Sequence, residues 1–241
     1  MKKMSAIFRK EILHLLGNLT AYLAAGFFLS LSGVLTWFFK DNILDNAFAD
    51  LQLFFNFCPY LLLFLIPALS MQVFAEEKKQ GTLEKIYTFP ITLSTLVIAK
   101  FLAVWCLVLF CLLPTTVYFY TIYQLAYPLG NVDFGAYFGS FLGLIGLATV
   151  FVAIGLFSSA LTRNQISAFL TSVFLSFIFW IGWDEVAYYF QTYQDLFLTF
   201  SLKENYLALS KGALQSRELL YFAFLTLFFL WLTRWFLYFF R

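Results

Sequence analysis

Charge is scarce in this chain. Only 12% of its 241 residues are Asp, Glu, Lys or Arg, while 62% are hydrophobic. A water-soluble domain of that length cannot bury so much apolar surface. This excludes the soluble classes and leaves a polytopic membrane protein. The net charge of +2 is too small to argue for a nucleic-acid partner. Histidine occurs once. A lone His14 cannot assemble a metalloprotease or acyltransferase centre, and it reads as structural or interfacial. The three cysteines, Cys58, Cys106 and Cys111, stand in apolar runs without CxxC spacing. They support neither a disulfide framework nor a zinc site and read as small buried hydrophobes.

Nucleotide-binding motifs are also missing. Gly130 and Gly135 have GxxxxG spacing, but Ala136 and Tyr137 follow where a phosphate loop needs Lys and Ser or Thr. No enzymatic activity and no bound cofactor are expected of this chain. Its apolar runs hold almost no ionisable residue away from their ends. That argues against a proton-coupled pump and against a charge-lined channel. Energy for work across a membrane is expected from another subunit.

What is present is a series of long apolar runs. A spanning helix needs about 20 apolar residues. Six are expected, near 19–39, 51–75, 98–124, 135–160, 164–183 and 218–239, with Arg234 snorkelling to the interface in the last. The first run is long enough to span and lacks a small-residue exit, so it reads as an uncleaved helix. With the N-terminus inside, the inner segments hold eleven basic and four acidic residues, a net of +7. The outer segments hold four basic and nine acidic residues, a net of −5. This bias predicts an N-in, C-in arrangement. Trp37, Trp180 and Trp183 fall near outer ends and Trp105, Trp231 and Trp235 toward inner ends, as in interfacial belts, although each ring can also serve core packing.

The chain reads as one all-α membrane domain over 1–241. In residues 1–18, Met4, Phe8, Ile12 and Leu15 recur at helical spacing, which predicts a helix lying in the inner interface. The outer segment 184–217 mixes aromatics with charge and predicts short helices dipping into the outer leaflet. Gly135, Gly139 and Gly143 form overlapping GxxxG pairs, suited to close helix packing within the chain or at a dimer face. Pro59, Pro67 and Pro114 interrupt the second and third spans.

The inner loop 76–95 is the most informative stretch. Glu76, Glu77, Lys78 and Lys79 are expected to carry the second helix into water. Gly81 can break it. Thr82 to Thr88 then form one or two turns with Leu83, Ile86 and Tyr87 on one apolar face and Glu84 and Lys85 beside it. Pro90 ends this piece, and Ser94 can cap the third span. An apolar face turned to the cytosol calls for a partner or a membrane surface.

Residues 74–100, "FAEEKKQGTLEKIYTFPITLSTLVIAK", resemble the signature loop of ABC-2-type transporter permeases. The elements are Glu77-Lys78, Gly81-Thr82, Glu84, Pro90-Ile91-Thr92 and Lys100. Residues 8–29 resemble that family's N-terminal elbow helix and first span, with Gly17-Asn18-Leu19-Thr20 replacing the usual Ser-Pro turn. "GLFSSALTRNQISAF", residues 155–169, and "LSKGALQSRELLYF", residues 209–222, are similar to the gliding-motility permease (GldF-type) branch of Bacteroidetes.

The resemblance implies a type V ABC exporter-like fold of six helices in the bacterial cytoplasmic (inner) membrane. It implies two copies of an ABC ATPase that bind ATP and Mg. It also implies a second permease subunit with a periplasmic domain, or a second copy of this chain. Loop 76–95 becomes the coupling helix seated in an ATPase cleft. Its contact residues would be Glu76, Glu77, Lys78, Lys79, Gly81, Thr82, Leu83, Glu84, Lys85, Ile86 and Tyr87, ending at Pro90. Arg9, Lys10 and Glu11 of the elbow would join them. The segment 184–217 would form re-entrant helices. The function expected is a permease subunit for ATP-driven export or movement; the alternative is a non-transporting mechanical or assembly module of a gliding or secretion apparatus.

Overall fold

The structure is a computed structural model that describes residues 2–39, 50–89, 91–128, 130–190, 192, 194–212 and 216–239. Regular structure among them is entirely helical. In chain order the helices are α1 (Lys2–Leu16), α2 (Leu19–Trp37), α3 (Gln52–Ser70), α4 (Gln72–Lys79), α5 (Thr82–Thr88) and α6 (Leu93–Leu112). They continue with α7 (Thr116–Leu125), α8 (Phe134–Leu161), α9 (Gln165–Phe177), α10 (Trp183–Tyr189), α11 (Gln194–Thr199), α12 (Leu202–Ser210) and α13 (Ser216–Phe239). Among the described residues, six continuous stretches are long and apolar enough to cross a membrane: Leu19–Trp37, Gln52–Lys79, Leu93–Leu125, Phe134–Leu161, Gln165–Tyr189 and Ser216–Phe239.

Local chemistry sets the boundaries. Asn18 caps α2 by accepting from the Thr20 amide at 3.1 Å, so Gly17-Asn18 makes the turn between α1 and α2. Asp133 caps α8 and Asn164 caps α9 in the same way. Helix α6 is capped by Thr92, whose hydroxyl accepts from the Thr95 amide at 3.3 Å; Ser94, the expected cap, already lies inside the helix. Pro114 breaks the third span into α6 and α7 through a 3-10 turn, Leu113–Thr115. Pro59 and Pro67 stay inside α3.

Helix α8 is central. It packs against α13, α3, α9 and α12, and nearly all of its side chains from Leu147 to Ala160 are buried. Helices α2, α9 and α13 instead keep apolar outer stripes, such as Leu23 and Phe27, Leu170 and Phe174, and Phe224 and Leu227. Such stripes suit lipid, which costs nothing to an apolar side chain.

The glycines of α8 serve packing within the chain. A Cβ on Gly139 would lie 2.3 Å from the Leu209 carbonyl oxygen, and one on Gly143 would lie 3.0 Å from the Tyr206 ring. Both face α12, which is buried through Leu202, Tyr206 and Leu209. Gly135 meets the chain only near Gly212 and its own cap residue Asp133. The 184–217 segment does form short helices, and α12 is driven into the bundle beside the first turns of α8.

Two further side chains explain that insertion. Pro59 has no amide hydrogen, so the Phe55 carbonyl four residues earlier loses its helical donor. Tyr206 donates its hydroxyl to that carbonyl at 2.8 Å. Trp180, in a π-helical turn (Ile178–Gly182), is buried between the Tyr60, Phe151 and Tyr206 rings. It therefore packs in the core, whereas Trp231 and Trp235 are exposed as an interfacial belt requires.

Candidate functional site

The second span does not run straight into water. After Ser70 the helix restarts as α4, and the join is held by one hydroxyl. Ser159 of α8 donates to the Met71 carbonyl at 2.9 Å and accepts from the Phe74 and Ala75 amides at 3.0 and 3.1 Å. The same region binds the turn between α1 and α2, because Asn18 donates to the side-chain oxygen of Gln72.

A buried ion cluster lies one turn further on. Lys100 of α6 is 0% exposed. Its ammonium sits 2.9 Å from Glu11 Oε1 of α1 and 3.0 Å from Glu77 Oε2 of α4, and it donates to the Val73 carbonyl at 2.9 Å. The Phe74 ring lies beneath it. Lys10 closes the cluster from the exposed side, 3.2 Å from Glu77 and 3.7 Å from Glu11. Partial burial works against the Lys10 ammonium, but Glu77 and Glu11 outweigh it, and its pKa stands above that of a free lysine.

This corrects the expectation that the spans lack buried ionisable groups. Lys100 belongs to the third span, and a cation there is tolerated because two carboxylates and a carbonyl replace its water. It also corrects the expectation that Glu76 to Lys79 simply extend into solvent. Glu77 is committed to the cluster, and Lys78 turns back to donate to the Ala160 carbonyl and to cover the Phe236 ring. Glu76 accepts from Gln80 at 2.9 Å, and Lys79 is exposed.

Gly81 breaks the helix as expected, with φ of 67° in the left-handed region that a residue with a Cβ enters at a cost. Thr82 ties the turn by donating to the Glu77 carbonyl at 3.3 Å. Helix α5 then occupies Thr82–Thr88, as its apolar spacing predicts. Its orientation is the reverse of the expected one. Leu83 is only 6% exposed and belongs to the core, and Ile86 and Tyr87 pack against that core. The outward face carries Glu84, Lys85, Thr88 and Phe89. Pro90 lies outside the described residues. Arg9 is exposed on α1, whereas Glu11 is buried.

Both terminal helices meet this assembly. Helix α1 reaches it through Glu11 and Lys10, and the end of α13 reaches it through Phe236. A cleft of about 420 Å³ opens between α5, the α8–α9 turn and the end of α13. Among the described residues the arrangement holds no nucleophile–base pair; what it can do is hold a short helix at the end of the second span, beside the α8–α9 turn and the end of α13. Any displacement of α5 would be felt at α6 through Glu77 and Lys100, at α1 through Glu11, and at α8 through Ser159.

No curated protein matches the chain. The family model described as ABC-2 family transporter protein matches residues 4–237. With six helices able to span and a match over nearly its whole length, this chain belongs to the ABC-2 transporter family as a multi-pass membrane protein.

Proposed function

We propose that the chain is the permease subunit of an ATP-driven ABC-2 exporter and that α5 is the point where force enters. Family members typically partner with an ABC ATPase. In this reading two ATPase copies bind ATP and Mg, and a second permease completes the pathway. The +7 inner and −5 outer charge split supports an N-in, C-in placement in the cytoplasmic membrane of a bacterium. The stretches 155–169 and 209–222 support the gliding-motility branch.

The observation that carries this reading is the two-sided build of α5. Its inner side is fixed by Leu83 among the span residues, while Glu84, Lys85, Thr88 and Phe89 face away from the bundle. A helix that is anchored behind and polar with one aromatic in front suits a protein cleft. ATPase closure would push α5, and the Glu77–Lys100–Glu11 cluster would pass the displacement to α1 and α6. This is a two-state mechanism in which ATP binding favours one arrangement. The test is co-purification of the co-expressed ATPase with a Glu84→Lys, Phe89→Ala double variant. Recovery is expected to fall to background while the membrane part remains folded. Undiminished recovery would remove α5 from the interface.

A further inference from the structure

The cleft beside α5 has a chemistry that coupling does not use. Lys78 and Arg163 both line it, and Arg163 repels the Lys78 ammonium. Among the described residues neither has a carboxylate within ion-pair distance, and Arg163 has no hydrogen-bond partner. Among the described residues the one carboxylate on the wall, Glu84, stands exposed at the α5 edge and pairs with neither. Two cations against one anion leave the cleft positive. The other lining residues are Gly81, Leu83, Tyr87, Leu161, Phe236 and Leu237, apolar apart from the Gly81 backbone and the Tyr87 hydroxyl. Just beside it, Trp235 and Phe239 expose their rings on α13. Indole rings and basic side chains together mark the headgroup level of a bilayer.

We infer that this cleft holds the phosphate of an anionic phospholipid from the leaflet at the α5 end of the bundle. The guanidinium of Arg163 and the ammonium of Lys78 supply charge-assisted hydrogen bonds to the phosphodiester oxygens. The acyl chains leave along the exposed aromatic strip of α13. A space of about 420 Å³ accommodates a headgroup but not a whole lipid, so this is a site for a resident lipid held by its polar end. Bound there, the lipid braces the inner side of α5 through Leu83 and Tyr87. The inference stands apart from the ATPase reading, since lipid can occupy the cleft whether or not a partner docks on the other side.

The test is native mass spectrometry of the purified full chain in detergent, titrated with dioleoyl phosphatidylglycerol or dioleoyl phosphatidylcholine. Wild type is expected to prefer the anionic lipid. Arg163→Gln should weaken that binding about fivefold, and adding Lys78→Gln should weaken it further by a similar factor. Lys211→Gln, at the opposite end of the bundle, should leave it unchanged. Arg163 is exposed and, among the described residues, makes no hydrogen bond or ion pair, so its variant reports on the site even where the double variant folds poorly. Equal phosphatidylglycerol affinity in wild type and Arg163→Gln would overturn the site. Displacement of the lipid by millimolar sn-glycerol 3-phosphate would overturn the lipid assignment in favour of a soluble phosphate ligand.

Discussion

The Lys100 ammonium lies 2.9 Å from the Glu11 carboxylate, and this contact joins an N-terminal surface helix to the third membrane span. Glu77 shares the same ammonium from the end of the second span. Breaking a buried ion pair from one side leaves a stranded charge, which costs about 3–5 kcal/mol. Lys100→Met should therefore lower the thermal midpoint of the detergent-purified protein sharply. Removing all three charges at once, as Glu11→Met, Glu77→Met and Lys100→Met, should recover most of the loss, because no charge is then left buried alone. If the single and triple variants melt together, the ionic account of this junction is wrong.

A second prediction concerns the Tyr206 hydroxyl and the Phe55 carbonyl. Tyr206→Phe strands a buried acceptor and should cost about 1–3 kcal/mol. Pro59→Ala restores the amide that this carbonyl would otherwise bond within α3. In the Pro59→Ala background the Tyr206→Phe cost should shrink to a few tenths of a kcal/mol. A double-mutant cycle on unfolding free energies measures it, and a coupling of zero would refute the pairing.

The glycines of the bundle should not respond alike. Gly139→Ala places a methyl against the Leu209 backbone oxygen, which cannot move without shifting α12. A loss of about 1–3 kcal/mol is expected, as for other overpacked sites. Gly26 lies in α2 with nothing within 4 Å of an added Cβ. Gly26→Ala should be neutral or stabilise by up to about 1 kcal/mol through helix propensity. Melting the two variants side by side in one detergent checks the contrast; equal losses would show that the α8–α12 contact is not the cause.

Orientation can be read with single cysteines in a background lacking Cys58, Cys106 and Cys111. Lys79 and Lys211 are exposed at opposite ends of the bundle. An impermeant maleimide added to whole cells should label Lys211→Cys and should reach Lys79→Cys only after lysis. The opposite pattern would invert the topology.

Much of the architecture was legible because bilayer physics acts on composition. Six apolar runs had to become helices, since a spanning backbone must satisfy its own hydrogen bonds. Gly81 and the Leu83–Ile86–Tyr87 spacing marked α5 to the residue, because a left-handed turn and a helical stripe are local signals. The side on which that stripe lies was not local. It depends on where α13 and the α8–α9 turn come to rest, and they place apolar surface behind α5. Lys100 carried a readable warning: a cation about two turns inside an apolar helix needs partners. Which carboxylates answer it could not be read, since Glu11 and Glu77 come from distant stretches of chain.

The sequence by itself determined the membrane class, the number of candidate spans, the helix-breaking positions and the asymmetry of charge. Each follows from hydropathy, backbone dihedrals or charge counting over neighbouring residues. The tertiary structure alone decided that Lys100 is shared between α1 and α4, that Tyr206 serves the carbonyl orphaned by Pro59, and that Gly139 admits α12. It also decided that Glu84, Lys85, Thr88 and Phe89 form the free side of α5. These are pairings across long loops, where proximity is set by how helices pack and by the need to satisfy every polar group taken out of water.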